Sequence, residues 1–398
     1  MKPEAFLFVS HTAARTGAPI ELLRFLGWLK SHSNRRILVL LQEGGELEDA
    51  FSRKGQVRVW RRPLKTKIPW IRRILETLRW EGLANLMRML RARHWIKGYD
   101  VKLVVANTAF VGDSLTALQF LACPRVCRVH EMEYALRNFR FPLGFRSFRE
   151  TLKVCDGFIA VSEAVAGNLR ENHGVDATRI QIVHGSVEPV NRKLYLNPDQ
   201  ILRMKRELEI PESSPVIGGV GWIQWGKGTD LFVQLAALMR RKYAGMECHF
   251  LWVGGDLAHE RYRRLRYDVT RLGLEEYVHF VGHHADPFHY YAVFHVLAML
   301  SREDSFPLVN PEVGLLGIPV VCFAGGGGSQ DWAERGCGEV VPYLDIHAAA
   351  GRIAALLDDR EKLDKMGREC RIQAENLLVE HNAPRLHGIL EGIMSGEG

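Results

Sequence analysis

Short apolar runs recur along the chain, and longer stretches with apolar residues at every third or fourth position separate them. In the first half, the runs occupy residues 5–10, 36–41, 101–107, 125–130, 157–162 and 180–185. Continuous apolar runs of this length are typical of strands buried on both faces of a parallel sheet, and the intervening stretches are typical of crossover helices. The pattern predicts a doubly wound α/β domain.

The same pattern starts again after a polar, proline-containing stretch at residues 186–215. Apolar runs then occupy residues 216–221, 248–255, 278–283, 296–301 and 318–324. We therefore expect two Rossmann-like domains, at residues 1–189 and 190–375, and a final helix at 376–398 that packs back on the N-terminal domain. Because ligands bind beyond the carboxyl ends of parallel strands, we expect the site in a cleft between the two facing sheets.

The composition is that of a globular protein with basic character. Hydrophobic residues make up 47% of the chain and charged residues 25%, which excludes disordered and fibrous classes. A net charge of +7 favours an anionic partner: nucleic acid, an anionic membrane surface or a phosphorylated small substrate.

Several sequence features bear on location and metal binding. The seven cysteines form no C-x-x-C pair and several lie inside apolar runs, so we expect reduced thiols in a cytoplasmic, reducing compartment. The first apolar run is too short for a signal peptide, and no charge-free run reaches the roughly 18 residues of a spanning helix. Since no H-E-x-x-H or Cys/His cluster occurs, no metal site is predicted.

The most informative stretch is S-R-E-D-S-F-P-L-V-N-P-E at residues 301–312. Asp304 follows a predicted strand, and Glu312 lies on the next helix with seven residues between the two acids. Backbone N–H groups around Leu308 and Val309, after Phe306, would form a helix N-terminus, which can bind an anion. In an arbitrary protein these acids would more often be a helix cap and a solvated carboxylate.

A second stretch, G-W-I-Q-W-G-K-G-T-D, follows the first strand of the second half at residues 221–230. Gly221 and Gly228 allow a tight turn, and between them Lys227 offers a cation at a strand end. A lysine beside a glycine is a weak signal in isolation, because most such lysines are solvated surface residues.

The first half contributes further candidates at strand ends. Gly17 lies in the loop S-H-T-A-A-R-T-G-A-P-I, where a glycine lets the backbone approach phosphate or sugar. Asn107 ends one predicted strand, and His130 and Glu131 end another in R-V-H-E. Asn107 and Glu131 are candidates for contact with an acceptor, although asparagine at a strand end is often a turn residue.

These stretches together resemble the retaining glycosyltransferases of family 4, which have the GT-B fold and two glutamates separated by seven residues. The resemblance implies that Asp304 contacts the donor sugar, that Glu312 holds the ribose and that Lys227 stabilises the leaving diphosphate. It also places Gly254 of W-V-G-G-D and His283 of F-V-G-H in nucleotide-side loops, and His130 close to the sugar. The sequence departs from the family pattern at Asp304, which replaces glutamate, and at Trp222, which replaces arginine.

The resemblance implies a retaining, metal-independent transferase that needs no cofactor. The donor would be a nucleoside diphosphate sugar, UDP- or GDP-linked, and the acceptor a glycan or a lipid-linked molecule of cell-surface polysaccharide or glycolipid synthesis. Alternatives are a GT-B epimerase or phosphorylase, and a nucleic-acid-binding protein that uses the basic residues described next. No helix-turn-helix, zinc finger or RNA-binding motif supports binding to nucleic acid.

The stretch 53–97 is strongly basic and contains Trp60, Trp70, Trp80 and Trp95. A helix with cations on one side and apolar residues on the other can lie in a membrane interface, which predicts a peripheral protein on the inner face of the membrane. The alternative is a solvated helix face with its aromatic side chains in the core.

Overall fold

The computed structural model describes residues 2–61, 81–138 and 144–396. The chain divides into two compact units. The N-terminal unit comprises Met1–Ser186 and Val379–Gly398, and the C-terminal unit comprises Val187–Leu378. The boundaries predicted from sequence were 189/190 and 375/376.

The N-terminal unit contains a parallel sheet. Its strands are β1 (Glu4–Ser10), β2 (Arg36–Glu43), β3 (Gln56–Arg61), β4 (Asp100–Ala106), β5 (Arg125–Val129), β6 (Gly157–Ala160) and β7 (Ile180–Ile182). The strand order is β3-β2-β1-β4-β5-β6-β7. Its helices before residue 187 are α1 (Gly17–His32), α2 (Glu48–Lys54), α3 (Glu81–Ile96), α4 (Gly112–Ala117), α5 (Glu133–Asn138), α6 (Gly144–Val154) and α7 (Glu163–Glu171).

Strand β3 shows that part of the basic stretch 53–97 is not helical. Residues 56–61 read Q-V-R-V-W-R, in which polar and apolar side chains alternate with the period of a strand. The segment pairs in parallel with β2, for example Val57 with Val39 and Val59 with Leu41. The arginines are typical of a basic surface helix, but the two-residue period and the β-branched valines favour a strand, and a strand forms.

The C-terminal unit repeats this architecture with a six-stranded parallel sheet. Its strands are β8 (Val216–Val220), β9 (His249–Val253), β10 (Val278–Gly282), β11 (Val296–Met299), β12 (Val320–Phe323) and β13 (Gly338–Val341), in the order β10-β9-β8-β11-β12-β13. The helices are α8 (Arg192–Tyr195), α9 (Pro198–Glu207), α10 (Thr229–Lys242), α11 (Glu260–Arg271), α12 (Phe288–Tyr291), α13 (Val309–Leu315), α14 (Ser329–Trp332), α15 (Ile346–Asp358) and α16 (Arg360–Glu375). The prediction of two parallel-sheet, Rossmann-like domains is confirmed.

The last helix, α17 (Val379–Ser395), belongs to the N-terminal unit. Its Leu386 and Leu390 are buried in the same apolar core as Phe6 of β1 and Leu26 of α1. Helix α1 presents Leu22, Leu26 and Leu29 to this core at helical spacing. The chain therefore completes its first domain with its final residues.

Each sheet has a switch point, where the strand order reverses direction. In the C-terminal unit this point lies between β8 and β11, and in the N-terminal unit between β1 and β4. Loops at the carboxyl ends of these strands diverge and leave room for a ligand. Residues 221–228 follow β8 and residues 300–308 follow β11, so the two most informative stretches of the sequence meet at one switch point.

None of the helices in residues 2–61, 81–138 and 144–396 is both long and apolar enough to cross a bilayer.

Candidate functional site

The switch point of the C-terminal unit brings together a lysine and an aspartate. Lys227 ends a short turn of 3-10 helix, Trp225–Lys227, after β8, and Asp304 lies in the loop after β11. The Lys227 ammonium nitrogen contacts the Asp304 carboxylate, and the two side chains are 24% and 11% exposed. A partly buried ion pair is screened less than one in open solvent. The sequence identified both residues but gave no sign that they pair.

Backbone hydrogen bonds fix the position of Asp304. Its N–H donates to the carbonyl of Gly326 at 2.9 Å, and its carbonyl accepts from the N–H of Gly328 at 3.0 Å. The loop after β12 therefore holds the backbone of Asp304 in place through these two hydrogen bonds. The side chain of Asp304 contacts Lys227 instead of capping a helix. The glycine run at residues 325–328 thus contributes to the site through its backbone.

The helix predicted near Leu308 begins at Val309, with Leu308 as its N-cap. It has only seven residues, so its contribution to anion binding would come from individual N–H groups more than from a long dipole. Glu312 lies in the first turn of this helix and is half-buried, and Phe306, in the loop that precedes the helix, is buried.

The glycines of this site have steric roles that the sequence only suggested. Gly228 has a φ of 67°, and a Cβ atom there would lie 1.9 Å from the carbonyl oxygen of Leu300. Gly254, after β9, has a φ of 115°, and its Cβ would lie 2.6 Å from the carbonyl oxygen of Gly221. The loops after β8, β9 and β11 therefore pack backbone against backbone, which only glycine permits. His283 is exposed in the loop after β10.

An arginine that sequence reasoning missed holds the lysine loop in place. Arg302 donates from both terminal nitrogens to the carboxylate of Asp230 at 2.8 Å, and one of them also donates to the carbonyl of Trp225 at 2.7 Å. Burial would raise the pKa of Asp230, but the hydrogen bonds and charge of Arg302 hold it below its usual range. Because these contacts occupy the guanidinium of Arg302, this arginine holds the loop that contains Lys227 in place. It does not replace the arginine expected at Trp222.

In the N-terminal unit, the candidates near β1 and β4 make local contacts. Gly17 begins α1, and a Cβ atom there would meet no atom within 4 Å, so its position is open on that side. Asn107 is buried, and its side-chain amide donates to the carbonyl of Ala18 at 2.9 Å. Asn107 thus ties the end of β4 to the start of α1.

The carboxylate of Glu131 is also occupied by hydrogen bonds to neighbouring residues. Its carboxylate accepts hydrogen bonds from the Thr108 hydroxyl and from the N–H groups of Ala109 and His130, the latter two at 3.1 Å. Burial raises the pKa of this carboxyl, while these donors oppose the shift. The geometry gives Glu131 the role of joining the loops after β4 and β5.

His130 lies against a buried charged pair that the sequence did not reveal. Glu21 of α1 contacts Arg128 of β5, and their side chains are each 4% exposed. The second carboxylate oxygen of Glu21 lies 3.7 Å from Nδ1 of His130. Burial, together with the charges of Arg128 and His11, holds the pKa of His130 well below its usual range. The imidazole is therefore neutral near pH 7.

Within the described parts of the chain, no three His, Cys, Asp or Glu side chains are grouped so that they could hold a metal ion. All seven cysteines carry free thiols.

Two glycines in one loop test whether the backbone contact positions Lys227. Replacing Gly228 with alanine should lower the free energy of unfolding by more than about 1 kcal/mol, because φ is positive and the Cβ meets a carbonyl. Gly226→Ala is the matched control, since a Cβ there meets nothing within 4 Å. Chemical denaturation measures both. Equal stability of the two variants would show that the Gly228–Leu300 contact does not constrain the loop.

Two protein-family models match this chain. The model described as "Glycosyltransferase Family 4" matches residues 38–190, and the model described as "Glycosyl transferases group 1" matches residues 200–373. The first match lies almost wholly in the N-terminal unit and the second in the C-terminal unit.

Curated relatives align with somewhat more than half of the chain. The D-inositol 3-phosphate glycosyltransferase of Corynebacterium urealyticum is 32% identical over 264 residues, which are 63% of this chain and 62% of that protein. The lipopolysaccharide core biosynthesis mannosyltransferase LpsB of Rhizobium meliloti is 26% identical over 249 residues, 60% of this chain and 66% of that protein. The chain thus spans less than two thirds of the length of these relatives.

A solved structure shares the fold over nearly the whole chain. Anabaena HepE, in complex with UDP and glucose, superposes with a TM-score of 0.76 and 21% identity, covering 97% of this chain and 99% of that one. Since the two family models together match most of both units, the chain belongs to the family 4, or group 1, glycosyltransferases, which have the GT-B fold.

Proposed function

We propose that this protein transfers a sugar, with retention, from a nucleoside diphosphate sugar to a glycan or lipid-linked acceptor in cell-surface polysaccharide or glycolipid synthesis. The observation that carries the proposal is the Lys227–Asp304 contact at the switch point of the C-terminal unit. One residue offers a cation for the diphosphate, and the other offers a hydrogen-bond acceptor for a sugar hydroxyl.

The contact suggests how the site accommodates a donor. Without a donor, the charge of Lys227 is balanced by Asp304. A diphosphate brings negative charge to Lys227, and the sugar brings hydroxyl donors to Asp304, so each side chain exchanges its partner for part of the ligand. As the glycosidic bond breaks, charge grows on the diphosphate, and a positioned ammonium group stabilises that charge most in the transition state. We propose that Lys227 and backbone N–H groups near Leu308 and Val309 supply this stabilisation without a metal ion.

The remaining candidates divide between nucleotide, sugar and acceptor. Glu312 would bind the ribose hydroxyls, and the loops of Gly254 and His283 would contact the base. In the N-terminal unit, Gly17 and His130 would face the donor sugar. Asn107 and Glu131 would shape the acceptor side through the hydrogen bonds that fix their loops.

The donor is proposed to be a UDP- or GDP-sugar. The HepE structure contains UDP and glucose, which favours UDP, whereas LpsB is named a mannosyltransferase of the lipopolysaccharide core. That second name also favours a lipid-linked glycan as the acceptor.

A thermal-shift series with UDP, GDP, dTDP and CMP distinguishes the bases, since a ligand at 100 times its Kd adds about 2.7 kcal/mol of stability. Incubation with nucleotide sugar alone distinguishes an epimerase, which needs no acceptor.

The two acids are predicted to have separable roles. Glu312→Ala should weaken binding of the free nucleoside diphosphate by about 1.5 to 3 kcal/mol, because it removes charge-assisted hydrogen bonds to the ribose. Asp304→Asn should not weaken that affinity, because it removes the carboxylate that competes with the diphosphate for Lys227. It should reduce transfer from the intact donor, because the contact of Asp304 is with the reacting sugar. Calorimetry with the nucleotide and a transfer assay measure the two effects.

Asp304→Asn is used because it keeps the size of the side chain and the backbone hydrogen bonds of the loop. If this variant loses as much nucleotide affinity as Glu312→Ala, the proposed division of roles is wrong.

We also propose that the protein works at the inner, cytoplasmic face of an anionic membrane. Much of the basic stretch 53–97 lies outside the described residues, but α3 shows exposed apolar side chains at Leu86, Met87 and Leu90, which are 45%, 47% and 53% exposed. Apolar side chains on a basic helix can enter the headgroup region of a bilayer. The seven free thiols fit a reducing compartment.

Vesicle sedimentation tests the membrane proposal. The protein should sediment with anionic vesicles and not with neutral ones, and Leu86→Ser with Leu90→Ser should weaken that binding severalfold. Leu272→Ser, an exposed leucine of the C-terminal unit, is the control. The proposal fails if the protein binds neither kind of vesicle, or if the α3 variant binds as strongly as the control.

A further inference from the structure

A chain of three side chains, Arg128, Glu21 and His130, lies at the carboxyl end of the sheet in the N-terminal unit. Arg128 contacts Oε1 of Glu21 and also reaches the carbonyl of His184, at 3.2 Å. The other oxygen, Oε2, lies 3.7 Å from Nδ1 of His130. One carboxylate oxygen of Glu21 thus contacts an arginine, and the other lies near a histidine.

The arrangement is unusual for a residue that serves stability alone. Taking two charges out of water carries a large desolvation penalty, and apolar residues of similar size often stabilise a fold equally well. Burial raises the pKa of Glu21, and the charge and hydrogen bond of the neighbouring Arg128 oppose that shift and favour the ionised carboxylate. The pair therefore places a carboxylate oxygen of Glu21 beside Nδ1 of His130.

A neutral imidazole has one nitrogen that donates and one that accepts. The groups that face His130 are Glu21 from α1, Arg128 from β5 and His11 from the loop after β1. Of these, the carboxylate lies beside Nδ1 and favours the proton there. Nε2 is then an acceptor. It is buried, and it makes no hydrogen bond with any residue that the structure describes.

We propose that Glu21 is a positioning residue that holds His130 as the Nδ1–H tautomer, so that Nε2 accepts a hydrogen bond from a hydroxyl group of the sugar substrate. This inference rests on the proposed function, because it assumes that a sugar reaches His130. Glu21 acts through His130 and does not contact the substrate. Arg128 has a further role, which is to orient Glu21 through its contact with Oε1.

Nuclear magnetic resonance tests the tautomer directly, without substrate. In protein labelled with ¹⁵N at histidine, two-bond proton–nitrogen correlations identify which ring nitrogen carries the proton, and the signals lost in His130→Gln assign the residue. His130 should carry its proton on Nδ1 in the unaltered protein and in Glu21→Gln, which keeps an acceptor oxygen. In Glu21→Leu the Nε2–H form should appear.

The chain offers a matched control. Glu391 of α17 contacts Arg35 and lies 3.2 Å from Nε2 of His387, which is the same combination of side chains away from the carboxyl ends of the strands. Glu21→Leu should lower kcat for transfer by about tenfold to 100-fold, as loss of a group that orients a functional histidine does. Glu21→Gln should recover much of the rate, and Glu391→Leu should not change it.

The inference is overturned if His130 carries its proton on Nε2 in the unaltered protein, or if Glu21→Leu folds and keeps the Nδ1–H form. Should Glu21→Leu fail to fold, the tautomer of the unaltered protein and of Glu21→Gln still decides. A protein that transfers no sugar from any nucleotide donor, yet shows the expected tautomers, would refute the proposed function and leave the positioning by Glu21 established.

Discussion

The contact between Lys227 and Asp304 joins the two loops that define the candidate donor site. It spans 77 positions in sequence and forms at the point where the strand order of the C-terminal sheet reverses. Three features hold it: the close packing of Gly228 on Leu300, the backbone hydrogen bonds of Asp304 to residues 326 and 328, and the clamp of Arg302 on Asp230. Together these contacts join the segments that follow β8, β11 and β12, so the pair depends on three neighbouring strand ends at the carboxyl edge of the sheet.

The charged pair of the N-terminal unit differs from Lys227 and Asp304 in its exposure to solvent. Its charged pair, Glu21 with Arg128, is almost completely buried, whereas Lys227 and Asp304 remain accessible to solvent. An accessible pair can exchange partners with an incoming ligand, because water solvates the intermediates. A buried pair is fixed and can only orient its neighbours. This difference is the physical basis for assigning ligand binding to Lys227 and positioning to Glu21.

The sequence predicted much of the fold because buried parallel strands form continuous apolar runs, and eleven such runs became strands. It did not predict β3, because its arginines suggested a basic helix even though polar and apolar residues alternate there with the period of a strand. Single residues such as Asp304 and Lys227 were found because they lie in local stretches with recognisable spacing. Pairings were not found, because Glu21 and Arg128 are separated by 107 positions and only the folded topology brings them together. Arg302 lies within the informative stretch 301–312, yet its role depends on the position of Asp230.

The most direct test of the account concerns the charge of Lys227. The rate of sugar transfer from the preferred nucleotide donor should be compared for the unaltered protein, Lys227→Ala and Lys227→Arg, with folding checked by circular dichroism. The account predicts that Lys227→Ala lowers turnover on the order of 100-fold or more, as removal of one preorganised electrostatic group does, and that Lys227→Arg retains more activity than Lys227→Ala. An unchanged turnover in a folded Lys227→Ala protein would contradict the central claim that this ammonium group stabilises the departing diphosphate.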